Sequence, residues 1–368
     1  MEDKKIKIAY IISSAEIGGT EKMLLLMLEN INRYVFEQPV VFAIKGKGKF
    51  TEELKKKNIK TYVYNFKEKP FVFFLFLQTL KKESPDIIHS FLFAGNITGR
   101  ISGYLLKTPL VISSQRSIDA WRKWYHWIID GLTSAWADLI ISNSFSGKDV
   151  LVKKAHINPH KIIVIPNGIS SVKLQCNVSR ESLGLKDSEI VVGTVGNLKK
   201  AKGHIYLIRA AEIVLKQFPH TTFIITGEGN LEQFLKEEVQ KRGICEKFIF
   251  TGFRQDAEEI IQLFDIFVLP SLWEGFPVSL LEAMKYGKPV IGFGVADVPY
   301  IVENGRSGFV VKPACYQQMA SCIITLIEDK NLRLSMGLCG QKKVREEFTL
   351  EKMLNNYTTV YTKNVKMR

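Results

Sequence analysis

The stretch Ile6-Lys7-Ile8-Ala9-Tyr10-Ile11-Ile12-Ser13-Ser14-Ala15-Glu16-Ile17-Gly18-Gly19-Thr20-Glu21 decides how this chain reads. Its β-branched run, Ile6 to Ile12, predicts a strand; two serines end it, and a glycine pair leads into a helix that starts near Thr20. A lysine-rich start before an apolar run also resembles a secretion signal. That apolar run is too short for one and leads directly into the glycine turn. Without a Cβ, Gly18 and Gly19 let backbone amides approach a phosphate, and a helix N-terminus adds partial positive charge at the same place.

Outward from this unit, the same alternation continues. Short apolar runs at 40–44, 61–66, 87–91, 110–114 and 139–143 are separated by longer amphipathic stretches, the pattern of a parallel sheet covered by helices on both faces. After 161–165, Pro166-Asn167-Gly168 breaks the series. A second α/β series then begins, with strands predicted at 190–195, 222–226, 248–251, 266–269, 290–293 and 309–311. The tail from about Asn331 reads as two helices without a further strand. The expected architecture is α/β, with two Rossmann-like domains over 1–168 and 169–345. A C-terminal helix in 346–368 is expected to pack back on the first domain.

Composition narrows the function classes. Of the 368 residues, 46% are hydrophobic and 24% charged, which is ordinary for a globular chain, and the length suits two self-sufficient cores. The five cysteines are scattered without a CxxC pair, so neither a zinc site nor a disulfide framework is signalled, and a reducing cytoplasm is expected. The longest apolar run, Phe71 to Leu77, is far short of a membrane span. The net charge is +14 and uneven: Lys45 to Lys82 holds eleven lysines against Glu52, Glu53 and Glu68. An anionic partner suits such a stretch. Four of the five tryptophans lie between Trp121 and Trp136, and Trp121, Trp124, Tyr125 and Ile128 recur at helical spacing. Basic residues beside aromatics suit an anionic membrane interface, although each feature alone also fits a solvated face or a core helix. A basic nucleic-acid-binding protein is the weaker reading, since no recognisable nucleic-acid module is present.

Open parallel sheets bind ligands beyond the carboxyl ends of their strands, so the strand-to-helix loops are where chemistry is sought. Gly193-Thr194-Val195-Gly196-Asn197-Leu198 repeats the strand-to-glycine opening and continues through Lys199, Lys200 and Lys202 to Gly203. Lysines there would neutralise a diphosphate as it gathers charge on leaving. Gly227-Glu228-Gly229 supplies another point of close backbone approach after the next strand. The most specific segment is Pro270-Ser271-Leu272-Trp273-Glu274-Gly275-Phe276-Pro277-Val278-Ser279-Leu280-Leu281-Glu282-Ala283-Met284. It places Glu274 in a loop and Glu282 in the helix that follows, two carboxylates suited to the vicinal hydroxyls of a sugar and a ribose.

Together these segments resemble the retaining glycosyltransferases of GT-B architecture, family 4. Glu274 to Glu282 is similar to that family's E-x7-E motif, Gly18-Gly19-Thr20-Glu21 to its GGxE loop, Ile165 to Ile169 to its interdomain junction, and Gly196 to Gly203 to its diphosphate loop. The resemblance implies two Rossmann-like domains facing across a cleft, with an acceptor on the first and a nucleotide-sugar co-substrate on the second, UDP being favoured over GDP. It implies retention of configuration, no metal and no separate cofactor. By the same resemblance Glu274, Lys202 and His89 are the catalytic candidates. Gly18, Gly19, Asn197, Lys199, Gly227, Gly275, Phe276, Pro277, Leu281 and Glu282 are the donor-binding ones, and Asn96 and Arg116 are acceptor-binding candidates in the expected cleft.

Three departures stand out. Asn197 occupies the place of a usual arginine, with Lys199 near enough in sequence to substitute. His89-Ser90-Phe91 keeps only the first histidine of an H-x-H-like segment, and a lone strand-end histidine is also a common core residue. Tyr300 stands where many relatives have glutamate. The expected reaction is front-face, the acceptor hydroxyl attacking on the side from which the diphosphate leaves, so position and electrostatics replace a strong base. The acceptor is expected to be a saccharide or lipid-linked, as in polysaccharide, lipopolysaccharide or glycolipid synthesis, with the protein expected to be cytoplasmic and peripheral on the inner membrane face. A GT-B-like epimerase or a non-catalytic nucleotide-sugar binder is the alternative.

Overall fold

In the computed structural model, which describes residues 5–66, 71–116, 121–172 and 175–365, the β-branched runs form two sheets. The strands are β1 (Ile8–Ile12), β2 (Val40–Ala43), β3 (Lys60–Val63), β4 (Ile87–Phe91), β5 (Leu110–Gln115), β6 (Leu139–Ser142) and β7 (Ile162–Val164), then β8 (Ile190–Val195), β9 (Thr221–Thr226), β10 (Phe248–Gly252), β11 (Ile266–Leu269), β12 (Val290–Phe293) and β13 (Gly308–Val311). Their order is β3-β2-β1-β4-β5-β6-β7 in one sheet and β10-β9-β8-β11-β12-β13 in the other. Every pairing is parallel. A parallel sheet is covered on both faces, and β1, β4 and β5 are accordingly buried along their whole length.

The chain divides into two units, one reaching Asn167 and resuming at Glu351, the other spanning Gly168–Leu350. In the second unit the entering and leaving segments are bound together. Ile169 N donates to Phe348 O at 2.9 Å and Leu350 N donates to Ile169 O at 2.8 Å. A Cβ on Gly168 would stand 2.3 Å from Thr349 O, so only glycine allows this approach. The helix Leu350–Asn364 buries Tyr357 and Tyr361 in the first unit, where the Tyr361 ring meets Phe36 edge-on at 5.7 Å.

Two consequences of topology position the site. In each sheet the strand order reverses once, between β1 and β4 and between β8 and β11. At such a point the loops beyond the carboxyl ends diverge and leave room for a ligand. Crossovers between parallel strands are right-handed. The helices Gly19–Asn30 and Lys49–Lys56 therefore lie on one face of the first sheet, and Val72–Glu83, Phe93–Leu106 and Trp124–Thr133 on the other. Packing agrees: Phe76 and Leu80 share a core with Ala9, Ile11 and Ile88, while Gly99 sits against Ile88 and Ser90. The lysine-rich helix Lys49–Lys56 thus lies on the face opposite the tryptophan helix, whereas Lys81 and Lys82, at the end of Val72–Glu83, lie on the same face as it. Residues 67–70 of the lysine stretch lie outside the described residues.

Candidate active site

In the second unit the loops after β8, β9 and β11 are built backbone against backbone. Gly196 N donates to Thr226 O at 3.0 Å and Leu198 N to Glu228 O at 2.9 Å, which locks the first two loops together. Gly227 has φ +141 and its Cβ would stand 2.1 Å from Gly196 O; Gly203 has φ +60 and its Cβ would stand 2.0 Å from Pro270 O. Both the torsions and the contacts require glycine. The Lys202 stem passes beside Gly196, where an added Cβ would stand 3.5 Å from Lys202 Cδ, an ordinary van der Waals contact.

This packing delivers the ammonium of Lys202 to Glu274, with Nζ 2.5 Å from Oε1. Ser271, fully buried, donates its hydroxyl to the same carboxylate oxygen at 2.7 Å. A cation and an anion, both partly buried, thus meet at the reversal of the second sheet. Asn197 and Lys199 are exposed in the loop between, which turns tightly as Lys199 N donates to Asn197 O at 2.8 Å. Glu282 is half-buried on the helix Val278–Lys285, and Pro277 immediately precedes that helix. Gly275 is half-buried, whereas Phe276 and Leu281 belong to the core, Phe276 lying 5.8 Å from the Phe348 ring. For those two residues only the backbone is left to face a ligand. His204, the first residue of the helix His204–Gln217, is buried; burial and nearby Lys202 pull its imidazole down to about 4.

In the first unit Gly18 and Gly19 are exposed at the start of the helix Gly19–Asn30. Gly18 N donates to Glu21 Oε2 at 2.9 Å, and Glu21 is buried. The carboxylate therefore fixes the glycine turn, a role legible in its position three residues into the helix. Across the sheet reversal, His89 has no exposed surface. Its Nδ1 is 2.7 Å from Tyr361 Oη and its Nε2 is 2.7 Å from Ser114 Oγ. Burial, with Arg116 nearby, holds its imidazole well below the usual histidine range, so it is neutral. With both ring nitrogens engaged inside the unit, this placement does not support a proton-handling role.

Asn96 donates through Nδ2 to Ser114 O at 3.0 Å, and Arg116 through Nη2 to Asn167 Oδ1 at 2.7 Å and through Nη1 to Tyr357 Oη at 3.2 Å. Both residues are buried. The tyrosines of the C-terminal helix that complete this network carry no sequence signal as site residues, because their partners lie hundreds of positions away. Leu92, just past β4, has φ 66 and ψ 159, a torsion pair rarely adopted by a side-chain-bearing residue.

Two family models match the chain in succession: Glycosyltransferase Family 4 over residues 17–172 and Glycosyl transferases group 1 over residues 177–343. The backbone matches that of HepE from Anabaena with a TM-score of 0.88, covering 97% of this chain and 100% of that one at 22% identity. The chain belongs to the GT-B glycosyltransferases. Among relatives of this glycosyltransferase is the UDP-Gal:alpha-D-GlcNAc-diphosphoundecaprenol alpha-1,3-galactosyltransferase of Escherichia coli, 28% identical over 77% of this chain and 76% of the relative. Another is the capsular polysaccharide biosynthesis glycosyltransferase CapM of Staphylococcus aureus, 25% identical over 75% of this chain and 78% of the relative. Among the described residues of this glycosyltransferase, no helix is long and apolar enough to cross a membrane, and no group of three or more His, Cys, Asp or Glu could hold a metal ion.

Proposed function

We propose that this glycosyltransferase moves a sugar from a UDP-sugar to a lipid-linked saccharide in cell-surface polysaccharide synthesis, with retention of anomeric configuration. The observation that carries the reading is the Lys202–Glu274 pair at the sheet reversal of the second unit. It presents together the two charges such a donor needs. The ammonium meets the diphosphate, whose charge rises as the glycosidic bond breaks. The carboxylate accepts hydrogen bonds from sugar hydroxyls, and Glu282 does the same for the ribose. Exposed Lys199 adds charge where Asn197 stands in place of an arginine.

In the proposed front-face reaction the bond from the anomeric carbon to the phosphate oxygen breaks while one to the acceptor oxygen forms on the same side. The acceptor proton passes to the departing diphosphate. No strong protein base is then needed, which accords with a neutral, fully bonded His89. Asn96 and Arg116 are proposed on the acceptor side, and the lysines rather than a metal ion are proposed to meet the diphosphate. The donor and acceptor classes are supported by the E. coli and S. aureus relatives' names, and by HepE having been solved with UDP and with UDP-glucose. The proposed location is cytoplasmic, peripheral on the membrane that holds the acceptor.

The test is a screen of UDP- and GDP-sugars with and without membrane lipid extract, reading released nucleoside diphosphate. Release that depends on one UDP-sugar and on the extract, and that Glu274→Gln abolishes, is expected. Donor binding without turnover under any condition would make the chain a nucleotide-sugar binder instead.

A further inference from the structure

The first unit exposes apolar side chains that neither the donor loops nor the His89 network uses. On the helix Trp124–Thr133, Trp124 is 73% exposed and Leu132 71%, with Tyr125, Ile128 and Ile129 also exposed. At the end of the neighbouring helix, Tyr104 is 62% exposed and stacks on exposed Trp136 with ring centres 5.4 Å apart. The helix Val72–Glu83, on the same face of the sheet, adds Phe74 and Leu75, preceded by Phe71 at 85% exposure.

Charge on these helices is sorted by burial. Asp130 is the one carboxylate of Trp124–Thr133; it lies inside, 2.6 Å from Arg100 and 2.7 Å from Arg122. Glu83 is the one carboxylate of Val72–Glu83; it is buried, 2.9 Å from Lys7 and 2.7 Å from Lys60. Phe93–Leu106 has none. The charges left outside on and beside these helices include the exposed cations Lys81, Lys82 and Lys123, with one exposed carboxylate, Asp138, just past Trp136.

We propose that this surface docks the protein on an anionic lipid bilayer, with Trp124, Leu132 and the Tyr104–Trp136 stack entering the headgroup layer. Tryptophan and tyrosine are the residues that favour the membrane interface, aliphatic side chains among them add buried apolar area, and lysines on the fringe reach lipid phosphates. A second copy of the chain is disfavoured as occupant, because like charges would face each other across the contact. The lysine-rich helix Lys49–Lys56 lies on the opposite face of the sheet; Lys56, Lys57 and Lys60 are moreover committed to Glu53, Glu29 and Glu83. The docking surface is therefore primarily aromatic and only fringed by lysine. Its purpose rests on the lipid-linked-acceptor reading, but its test does not.

The test is sedimentation of the full chain with vesicles of phosphatidylglycerol and phosphatidylcholine, against phosphatidylcholine alone. Brominated lipids report tryptophan insertion, and light scattering reports oligomeric state. Binding and quenching with the anionic vesicles are expected, with affinity falling about tenfold or more in the Trp124→Ala, Leu132→Ala double variant. Wild type remaining in the supernatant, or a double variant that binds as wild type does, overturns the proposal. So does a wild-type dimer that the double variant dissociates, which would make the face a self-interface. Transfer to a water-soluble acceptor analogue, measured alongside, is expected to be unchanged in the double variant. Vesicle binding without transfer under any condition would sink the proposed function and leave the docking surface standing.

Discussion

Lys202 Nζ lies 2.5 Å from Glu274 Oε1, an ion pair that joins the loop after β8 to the loop after β11 across the reversal of the second sheet. The side chain of Lys202 is 27% exposed and that of Glu274 9%, and Ser271 donates its hydroxyl to the same carboxylate oxygen.

If the ammonium stabilises the departing diphosphate, Lys202→Ala lowers kcat/KM by roughly 10²–10³, the scale for loss of one preorganised electrostatic contact. Ser271→Ala leaves Lys202 in place but loosens Glu274, and is expected to lower kcat/KM by about 10- to 100-fold, a hydrogen bond to a charged group being worth ~1.5–3 kcal/mol. Steady-state release of nucleoside diphosphate checks both. Unchanged kinetics in Lys202→Ala would remove it from the mechanism.

Glu21 holds Gly18 N, so Glu21→Ala frees the glycine turn. Loss of such a helix-cap hydrogen bond costs about 0.5–2 kcal/mol. Urea unfolding should show that loss, and donor KM should rise with kcat nearly constant if the turn contributes its amides to binding.

Asp130 is buried between two guanidinium groups, and Asp130→Asn leaves both arginines short of countercharge. Breaking a buried pair in this way costs about 3–5 kcal/mol. The variant should unfold at markedly lower urea concentration, and a wild-type midpoint would mean that water reaches the cluster.

The buried histidines give stability a pH dependence of known sign. His204 is depressed from 6.5 to about 4 and His89 is held well below 6.5, so below pH 6.5 the unfolded chain binds protons that the folded one does not. Stability is therefore full above pH 6.5 and falls as the solution is acidified. For His204 the loss ends near pH 4 and is on the order of 3 kcal/mol, at ~1.36 kcal/mol per pH unit. Thermal melting from pH 8 to 4 should show the decline, with a shallower slope in His204→Asn. Equal slopes in wild type and variant would contradict the assignment.

The positions of the strands were legible because β-branched runs buried on both faces differ from their surroundings even in one dimension. The glycine loops were legible too, since Gly203 and Gly227 stand where a side chain would strike the backbone of a neighbouring loop. Other features were not. Read along the chain, the lysine stretch is one block, but right-handed crossovers direct its helix Lys49–Lys56 to the face opposite the tryptophan helix and its helix Val72–Glu83, with Lys81 and Lys82, to the same face. His89 is a strand-end histidine whose partner Tyr361 is 272 positions away. Phe276 and Leu281 sit within the motif but point into the core.

The sequence by itself determined the alternation of strand and helix, the two successive sheets, and the residue types available at each strand end, because local periodicity and glycine placement depend on near neighbours. Only the tertiary structure decided that Lys202 meets Glu274, that His89 is sealed by a tyrosine of the last helix, and that the carboxylates of two aromatic helices turn inward while Trp124 and Phe74 stay exposed. Those relations depend on which segments the folded chain brings together in space, and separation along the chain carries no information about that distance.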